Sequence, residues 1–150
     1  MLIGLLQLWV LRFDREKDAL NSEMLLKGTG EDLGTTIEKQ DDKFGYRWMI
    51  LTDSDFEDLV VGVNGVSSSL QAGGYGERVL AAVFAFRDAK DQPVYWIYNY
   101  KRGGYYPFAP AGGEQQRDSE RELRLKAQIG RELPVEQELE RWFPLWGIPI

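Results

Sequence analysis

The sequence predicts an α+β fold, in which a mainly antiparallel sheet of four to six strands carries a central helix and carboxy-terminal helices packed on it. Three observations favour this fold. Apolar runs at residues 79–87, 94–100 and 105–108 are separated by short turns, which is typical of an antiparallel meander. Residues 55–71 repeat apolar side chains at spacings of three and four, as an amphipathic helix does. The length of 150 residues, without an internal repeat or linker, fits a single domain over residues 1–150.

The amino-terminal segment, residues 1–13, is almost continuously apolar. It is shorter than the roughly 20 residues that a membrane-spanning helix needs, and it lacks the basic start and the cleavage site of a secretory signal. We therefore expect a strand that ends near Phe13. Asp14 is then expected to cap a helix over residues 15–26, and a glycine-rich loop follows. Residues 37–43 predict a strand end and a turn.

The middle of the chain predicts a strand followed by the central helix. Residues 46–51 place apolar side chains on both faces, which indicates an interior strand. Ser54 and Glu57 have the spacing of a capping box and predict that Ser54 caps a helix over residues 55–71. The acidic residues here also resemble the start of a calcium-binding loop, but Asp58 stands where that loop requires glycine. Helix capping is the preferred interpretation, and we expect no metal site.

The segment 94–110 concentrates aromatic residues around a glycine-containing turn. Tyrosine and tryptophan are strong strand formers, so part of this content is expected in the sheet. Aromatic side chains beside Lys101 and Arg102 are also suited to stacking on nucleic-acid bases or to contact with a protein. The formal net charge is −6, and a nucleic-acid interface needs a broader basic stripe than two residues. A structural role in the sheet is therefore favoured over base stacking, nucleic-acid binding is not expected, and contact with a protein stays open.

The carboxy-terminal part of the chain predicts two further helices. Ser119 and Glu122 form a second capping box, which opens a charged helix to about Gln128. Pro134 suits the first turn of a last helix. Apolar residues of that helix repeat at three, four and seven, namely Leu139, Trp142, Phe143 and Trp146. The tail, residues 145–150, is too apolar to be left in water, so we expect it to dock on the sheet or on a second subunit.

Two residue types are absent from the chain. Without cysteine there can be no disulfide, thiolate nucleophile or cysteine metal ligand. Without histidine there can be no Ser-His-Asp triad, imidazole base or histidine metal site. We expect a cytoplasmic protein without a cofactor and without enzymatic activity.

Several blocks of the sequence resemble one known family. They are residues 44–48 (FGYRW), 55–60 (DFEDLV), 76–84 (GERVLAAVF), 94–103 (VYWIYNYKRG), 106–108 (YPF), 139–142 (LERW) and 145–149 (LWGIP). These blocks resemble the PspA-associated protein family called PspAB, and the resemblance covers most of residues 44–150. It implies association with membrane-stress proteins like phage-shock protein A and, in some settings, with a membrane-bound zinc metalloprotease. It implies no catalytic residues.

The preferred hypothesis is a non-enzymatic accessory or adaptor protein of an envelope-stress system. Its partner is expected to be a PspA-like protein, with at most indirect membrane association and with a homodimer as a further option. The candidate partner-binding residues are Lys101, Arg102, Tyr105, Tyr106 and Trp146.

Two alternatives remain open. The first is a small-ligand-binding protein or enzyme that uses tyrosines and a carboxylate, because tyrosine can act as an acid or a base. Its candidate residues are Tyr95, Tyr98, Tyr106 and Asp55. The second is a peptide-binding dimer like a secretion chaperone, with which the order of strands and helices is compatible.

Overall fold

The computed structural model describes residues 2–14, as backbone only, together with residues 36–74 and 79–149. The predicted helix over residues 15–26 and the glycine-rich loop after it lie outside the described residues. The elements of the described part, in chain order, are β1 (Leu2–Asp14), β2 (Thr36–Asp41), β3 (Tyr46–Thr52), α1 (Phe56–Ala72), β4 (Val79–Asp88), β5 (Pro93–Asn99), β6 (Gly104–Phe108), α2 (Ser119–Ile129) and a short 3-10 helix (Leu139–Arg141).

The strands pair antiparallel in the order β2-β3-β1-β4-β5-β6. β2 and β3 form one pair, β4, β5 and β6 form a set of three, and β1 joins the two sets. At its centre Val10 lies opposite Ile50 of β3 and Val83 of β4. The prediction of an α+β fold with a mainly antiparallel sheet is confirmed.

One face of the sheet is covered by α1, which contacts β1, β3 and β4. The helix-face cluster consists of buried apolar residues, namely Met49, Leu51, Leu59, Val63, Val66, Leu70, Val79 and Ala82. The predicted helix is confirmed, but the prediction that Ser54 caps it is wrong. Asp55 is the cap, and its carboxylate accepts hydrogen bonds from the backbone N–H groups of Glu57 and Asp58. A carboxylate one residue further along reaches the same free N–H groups, so Asp55 replaces the serine.

The other face of the sheet is covered by α2 and by the chain after it. The carboxy-terminal cluster includes residues from both, and its members are Trp48, Ile50, Ala81, Val83, Ala85, Val94, Tyr95, Trp96, Ile97, Tyr106, Phe108, Ala109, Leu125, Val135, Trp142 and Leu145. The predicted capping box at Ser119 is wrong. Asp118 caps α2 by accepting a hydrogen bond from the N–H of Arg121, and the Glu122 carboxylate lies buried instead. Glu122 is held there by the N–H of Ala109, at 2.9 Å.

The predicted last helix is reduced to the three residues Leu139–Arg141. The residues before it bond to the edge of the sheet, because the N–H of Tyr105 donates to Pro134 O and the N–H of Glu136 donates to Tyr105 O. Those backbone groups are therefore not available to a helix. The predicted docking of the tail on the sheet is confirmed, since Leu145 is buried in the carboxy-terminal cluster.

Candidate protein-contact surface at the turn between β5 and β6

The turn between β5 and β6 is fixed by its own sequence. Asn99 Oδ1 accepts hydrogen bonds from the N–H groups of Lys101, at 3.0 Å, and Arg102, at 3.2 Å. The N–H of Gly103 donates to Asn99 O at 2.8 Å, and Gly103 has a φ of 69°, which favours glycine. The turn therefore presents two exposed cationic side chains, Lys101 and Arg102, on an ordered backbone.

Arg102 connects this turn to the carboxy-terminal chain. Its Nε lies 2.9 Å from Glu136 Oε2, and its Nη2 lies 3.9 Å from Glu138 Oε1. The hydrogen bond between the two side chains raises the pKa of the Arg102 guanidinium and lowers the pKa of the Glu136 carboxyl. Lys101, in contrast, has no ion-pair partner within residues 36–74 and 79–149. A partner can therefore pair with Lys101 without breaking an existing ion pair, whereas Arg102 is already paired with Glu136.

Three tyrosines lie beside the turn. The Tyr98 ring is 5.0 Å from the Tyr100 ring, edge-on at 83°, and 4.8 Å from the Tyr105 ring. All three side chains are half-buried, and burial raises the pKa of the Tyr100 and Tyr105 hydroxyls. We call the residues Tyr98, Tyr100, Lys101, Arg102 and Tyr105 the turn surface.

The remaining two predicted partner-binding residues lie on the opposite face of the sheet. Tyr106 is 3% exposed, and its hydroxyl donates to Phe143 O at 2.8 Å. Its ring stacks on Trp142 with centroids 6.5 Å apart. Trp146 is half-buried and meets the Phe108 ring edge-on at 5.2 Å. The structure therefore brings Lys101, Arg102 and Tyr105 together and places Tyr106 and Trp146 in the packing of the carboxy-terminal segment.

Two residues of the turn surface, Tyr98 and Tyr100, are not among the five partner-binding candidates named from the sequence, although the tyrosines beside the turn are expected to be available for function. A signal for them exists. Side chains two apart in a strand share a face, and the pairing of Tyr98 with Tyr105 puts these residues on the same side of the sheet. The same alternation separates Tyr105 from its neighbour Tyr106.

The residues predicted for a ligand or enzyme site are not gathered into one place. Tyr95 and Tyr106 belong to the carboxy-terminal cluster, whereas Tyr98 packs against the helix-face cluster. Asp55 is engaged in capping α1. The part of the chain that the structure describes contains no group of three or more acidic side chains placed to hold a metal ion. None of its helices is long and apolar enough to cross a membrane.

The fold and this surface define a small α+β protein in which an antiparallel sheet presents one ordered cationic and aromatic turn. The chain belongs to the family PspA associated protein B, abbreviated PspAB, whose family model matches residues 10–150. The resemblance seen in the sequence is thereby confirmed over nearly the whole chain. The family name describes association with PspA, which is consistent with an accessory role. The comparisons with curated proteins and with solved structures found no match.

Proposed function

We propose that this chain is a non-enzymatic accessory protein that binds a PspA-like protein through the turn surface. The observation that carries the proposal is the family match over residues 10–150, because the family is named for association with PspA. The absence of histidine and cysteine supports a role without catalysis, since it removes imidazole and thiolate chemistry. A cytoplasmic location, with membrane contact only through the partner, belongs to the same proposal.

The turn surface has the composition of an interaction site. Tyrosine and arginine are enriched among the residues that dominate binding energies, and half-buried tyrosines offer contact area at a low cost in side-chain entropy. The hydrogen bonds that Asn99 Oδ1 accepts from the turn backbone and that Arg102 donates to Glu136 order the turn before any partner arrives. Less conformational entropy is then lost on binding.

The charge of the turn favours an acidic segment of the partner. The chain as a whole has a formal net charge of −6 and repels an acidic partner, so the attraction has to come from the cations of the turn. Lys101 is exposed at the tip of the turn, and the nearby carboxylate Glu136 is already paired with Arg102. An acidic segment can therefore pair with Lys101 while its apolar side chains cover Tyr98 and Tyr105.

The test is to measure the affinity of the purified chain for the PspA-like protein of the same organism by isothermal titration calorimetry. The variant Lys101→Glu reverses the charge at the centre of the surface, and we expect a Kd about tenfold or more higher because like charges then face each other. The matched control is Lys90→Glu, which makes the same change at another exposed lysine, in the turn between β4 and β5. We expect its Kd to stay within about twofold of wild type.

Two results would overturn the proposal. One is the absence of binding by the folded wild-type chain. The other is an equal loss of affinity in both lysine variants, since that points to overall charge rather than to the turn surface. Circular dichroism on each variant establishes that the fold is kept, and chromatography of the chain alone shows whether it forms a homodimer.

A further inference from the structure

A cleft of about 450 Å³ lies at the opposite end of β5 from the turn surface. Such a volume falls in the range of small-molecule sites. Its apolar part is formed by five residues, namely Ala89, Val94, Pro110, Ala111 and Leu125. Its cationic part is formed by Lys90, from the turn between β4 and β5, and by Arg121 and Arg124, from α2. The cleft therefore combines apolar side chains with three cations, and it also contains the carboxylates of Asp88 and Asp118.

Arg121 is held in a fixed orientation in this cleft. Its Nη2 lies 2.8 Å from Asp88 Oδ2 and donates to the carbonyl oxygens of Gln92 and Pro93, both at 3.1 Å. The side-chain hydrogen bonds of Arg121 within the described residues are therefore made by Nη2. The Nε–H and Nη1–H groups have no hydrogen-bond partner there, although only 16% of the side chain is exposed. An ordered guanidinium with uncommitted N–H groups is a preorganised donor for an anion.

The carboxylates of the cleft are already engaged. Asp88 accepts hydrogen bonds from the N–H groups of Lys90 and Gln92, both at 2.9 Å, in addition to its ion pair with Arg121. The backbone hydrogen bonds, followed by the charge of Arg121, lower the pKa of the Asp88 carboxyl. Asp118 caps α2 through the N–H of Arg121.

The two other cations are less engaged than Arg121. Lys90 is exposed and has no ion-pair partner within the described part of the chain. Arg124 has a loose contact of 3.9 Å with Glu120, and 67% of its side chain is exposed. A negatively charged ligand therefore displaces little and can pair with the charges of Lys90 and Arg124, whereas the charge of Arg121 is already balanced by Asp88.

We propose that this cleft binds a small organic anion with at least two negative groups, either carboxylates or phosphates. An uncommitted N–H group of Arg121, at Nε or at Nη1, donates to one anionic group. Lys90 and Arg124 pair with the second, while the apolar residues contact the carbon skeleton. The cleft and the turn surface lie at opposite ends of β5, which spans about 23 Å for its seven residues. The anion can therefore bind independently of a protein partner.

The experiment uses the full chain with citrate and with pyrophosphate as probes, and acetate as the single-charge reference, by isothermal titration calorimetry at low salt. We expect saturable binding of at least one of the two multivalent probes, and no measurable binding of acetate. Binding of citrate alone assigns the site to carboxylates, and binding of pyrophosphate alone assigns it to phosphates. If neither multivalent probe binds, or if acetate binds as tightly, the proposal is wrong.

The variant Lys90→Ala/Arg124→Ala removes the two exposed cations and should weaken binding of that probe at least about tenfold. Its matched control, Lys101→Ala/Arg131→Ala, removes one exposed lysine and one exposed arginine outside the cleft. We expect less than about a twofold change there. Equal weakening in both double variants would overturn the proposal, because it would show non-specific attraction of anions. Since the probes need no protein partner, failure here is separate from failure of PspA binding.

Discussion

On one face of the sheet, α1 packs mainly through apolar side chains, whereas the opposite face also depends on hydrogen bonds from side chains to backbone. A regular helix satisfies its own backbone groups, so its inward side chains are free to be apolar. The chain from residue 130 to residue 149 has only one turn of helix, and its backbone groups need other partners. Tyr106, Arg117 and Trp142 supply them by donating to Phe143 O, Trp142 O and Glu136 O.

The buried carboxylate of Glu122 is at the centre of the hydrogen bonds on the face of the sheet that α2 covers. It accepts hydrogen bonds from the N–H of Ala109 and from Nε of Arg117, whose distances to the two carboxylate oxygens are both 3.0 Å. Arg117 in turn lies over the Phe108 ring and reaches the backbone of Trp142. One acidic side chain thereby joins the residue that follows β6 to the loop before α2 and, through Arg117, to the carboxy-terminal segment.

The largest effect is therefore expected for Glu122→Ala. It leaves the Arg117 guanidinium and the Ala109 N–H without their partner, and we expect the free energy of unfolding to fall by about 4 kcal/mol. Urea denaturation followed by tryptophan fluorescence measures this. Glu120→Ala is the control on the same helix, because 84% of that side chain is exposed, and its effect should stay within about 0.5 kcal/mol. If both variants lose a similar free energy of unfolding, the buried Glu122 carboxylate stabilises the fold no more than an exposed carboxylate does.

On the helix face, the corresponding test is Leu59→Ala. Leu59 is fully buried between α1 and the sheet, and truncation leaves a cavity, so we expect a loss of about 3 kcal/mol. Val61→Ala changes a residue of the same helix that is 53% exposed, and should cost less than about 0.5 kcal/mol. If the two variants unfold at the same urea concentration, α1 does not form the core that the structure shows.

The difference between the faces also explains what the sequence could predict. Helix α1 was predicted at residues 55–71 and spans Phe56–Ala72, because its apolar spacing is a local pattern. The strands β4, β5 and β6 were located for the same reason. The last helix was wrong because its residues pair with Tyr105, which lies about 30 positions earlier in the chain. Periodicity within a segment contains no information on such distant pairing.

The roles of single polar residues were harder to predict from the sequence. A capping box is recognised from spacing alone, and both Ser54 and Ser119 have that spacing. In each case the neighbouring aspartate caps the helix instead, and the glutamate of the second box is buried. In the turn surface, the two cations, Lys101 and Arg102, were recognisable from the sequence. The cleft around Arg121 was not, because it joins residues from two turns and a helix.

A smaller effect is expected from the hydrogen bond that Tyr106 makes on the carboxy-terminal face. Tyr106→Phe keeps the ring on Trp142 but leaves Phe143 O without the hydroxyl donor, so we expect a loss of about 1 kcal/mol. Tyr98→Phe removes a hydroxyl that has no hydrogen bond within the described residues, and should change stability by less than about 0.5 kcal/mol. Equal values would mean that the hydrogen bond from the Tyr106 hydroxyl to Phe143 O does not stabilise the carboxy-terminal segment.

The smallest effect should be a pH-dependent one, from the pair between Arg102 and Glu136. The hydrogen bond from Arg102 lowers the pKa of Glu136 below its ordinary value of 4.5, so the folded state favours the ionised carboxylate. The resulting stability is fully present above pH 4.5 and is lost as the pH falls through the pKa of the folded state. We expect wild type to exceed Glu136→Gln in stability at pH 7 and the difference to shrink steadily below pH 4.5. If the stability difference between wild type and Glu136→Gln grows as the pH falls, the pairing with Arg102 is contradicted, because that result requires a raised pKa of Glu136. An NMR titration of the Glu136 carboxyl carbon gives the direction of the pKa shift independently of unfolding.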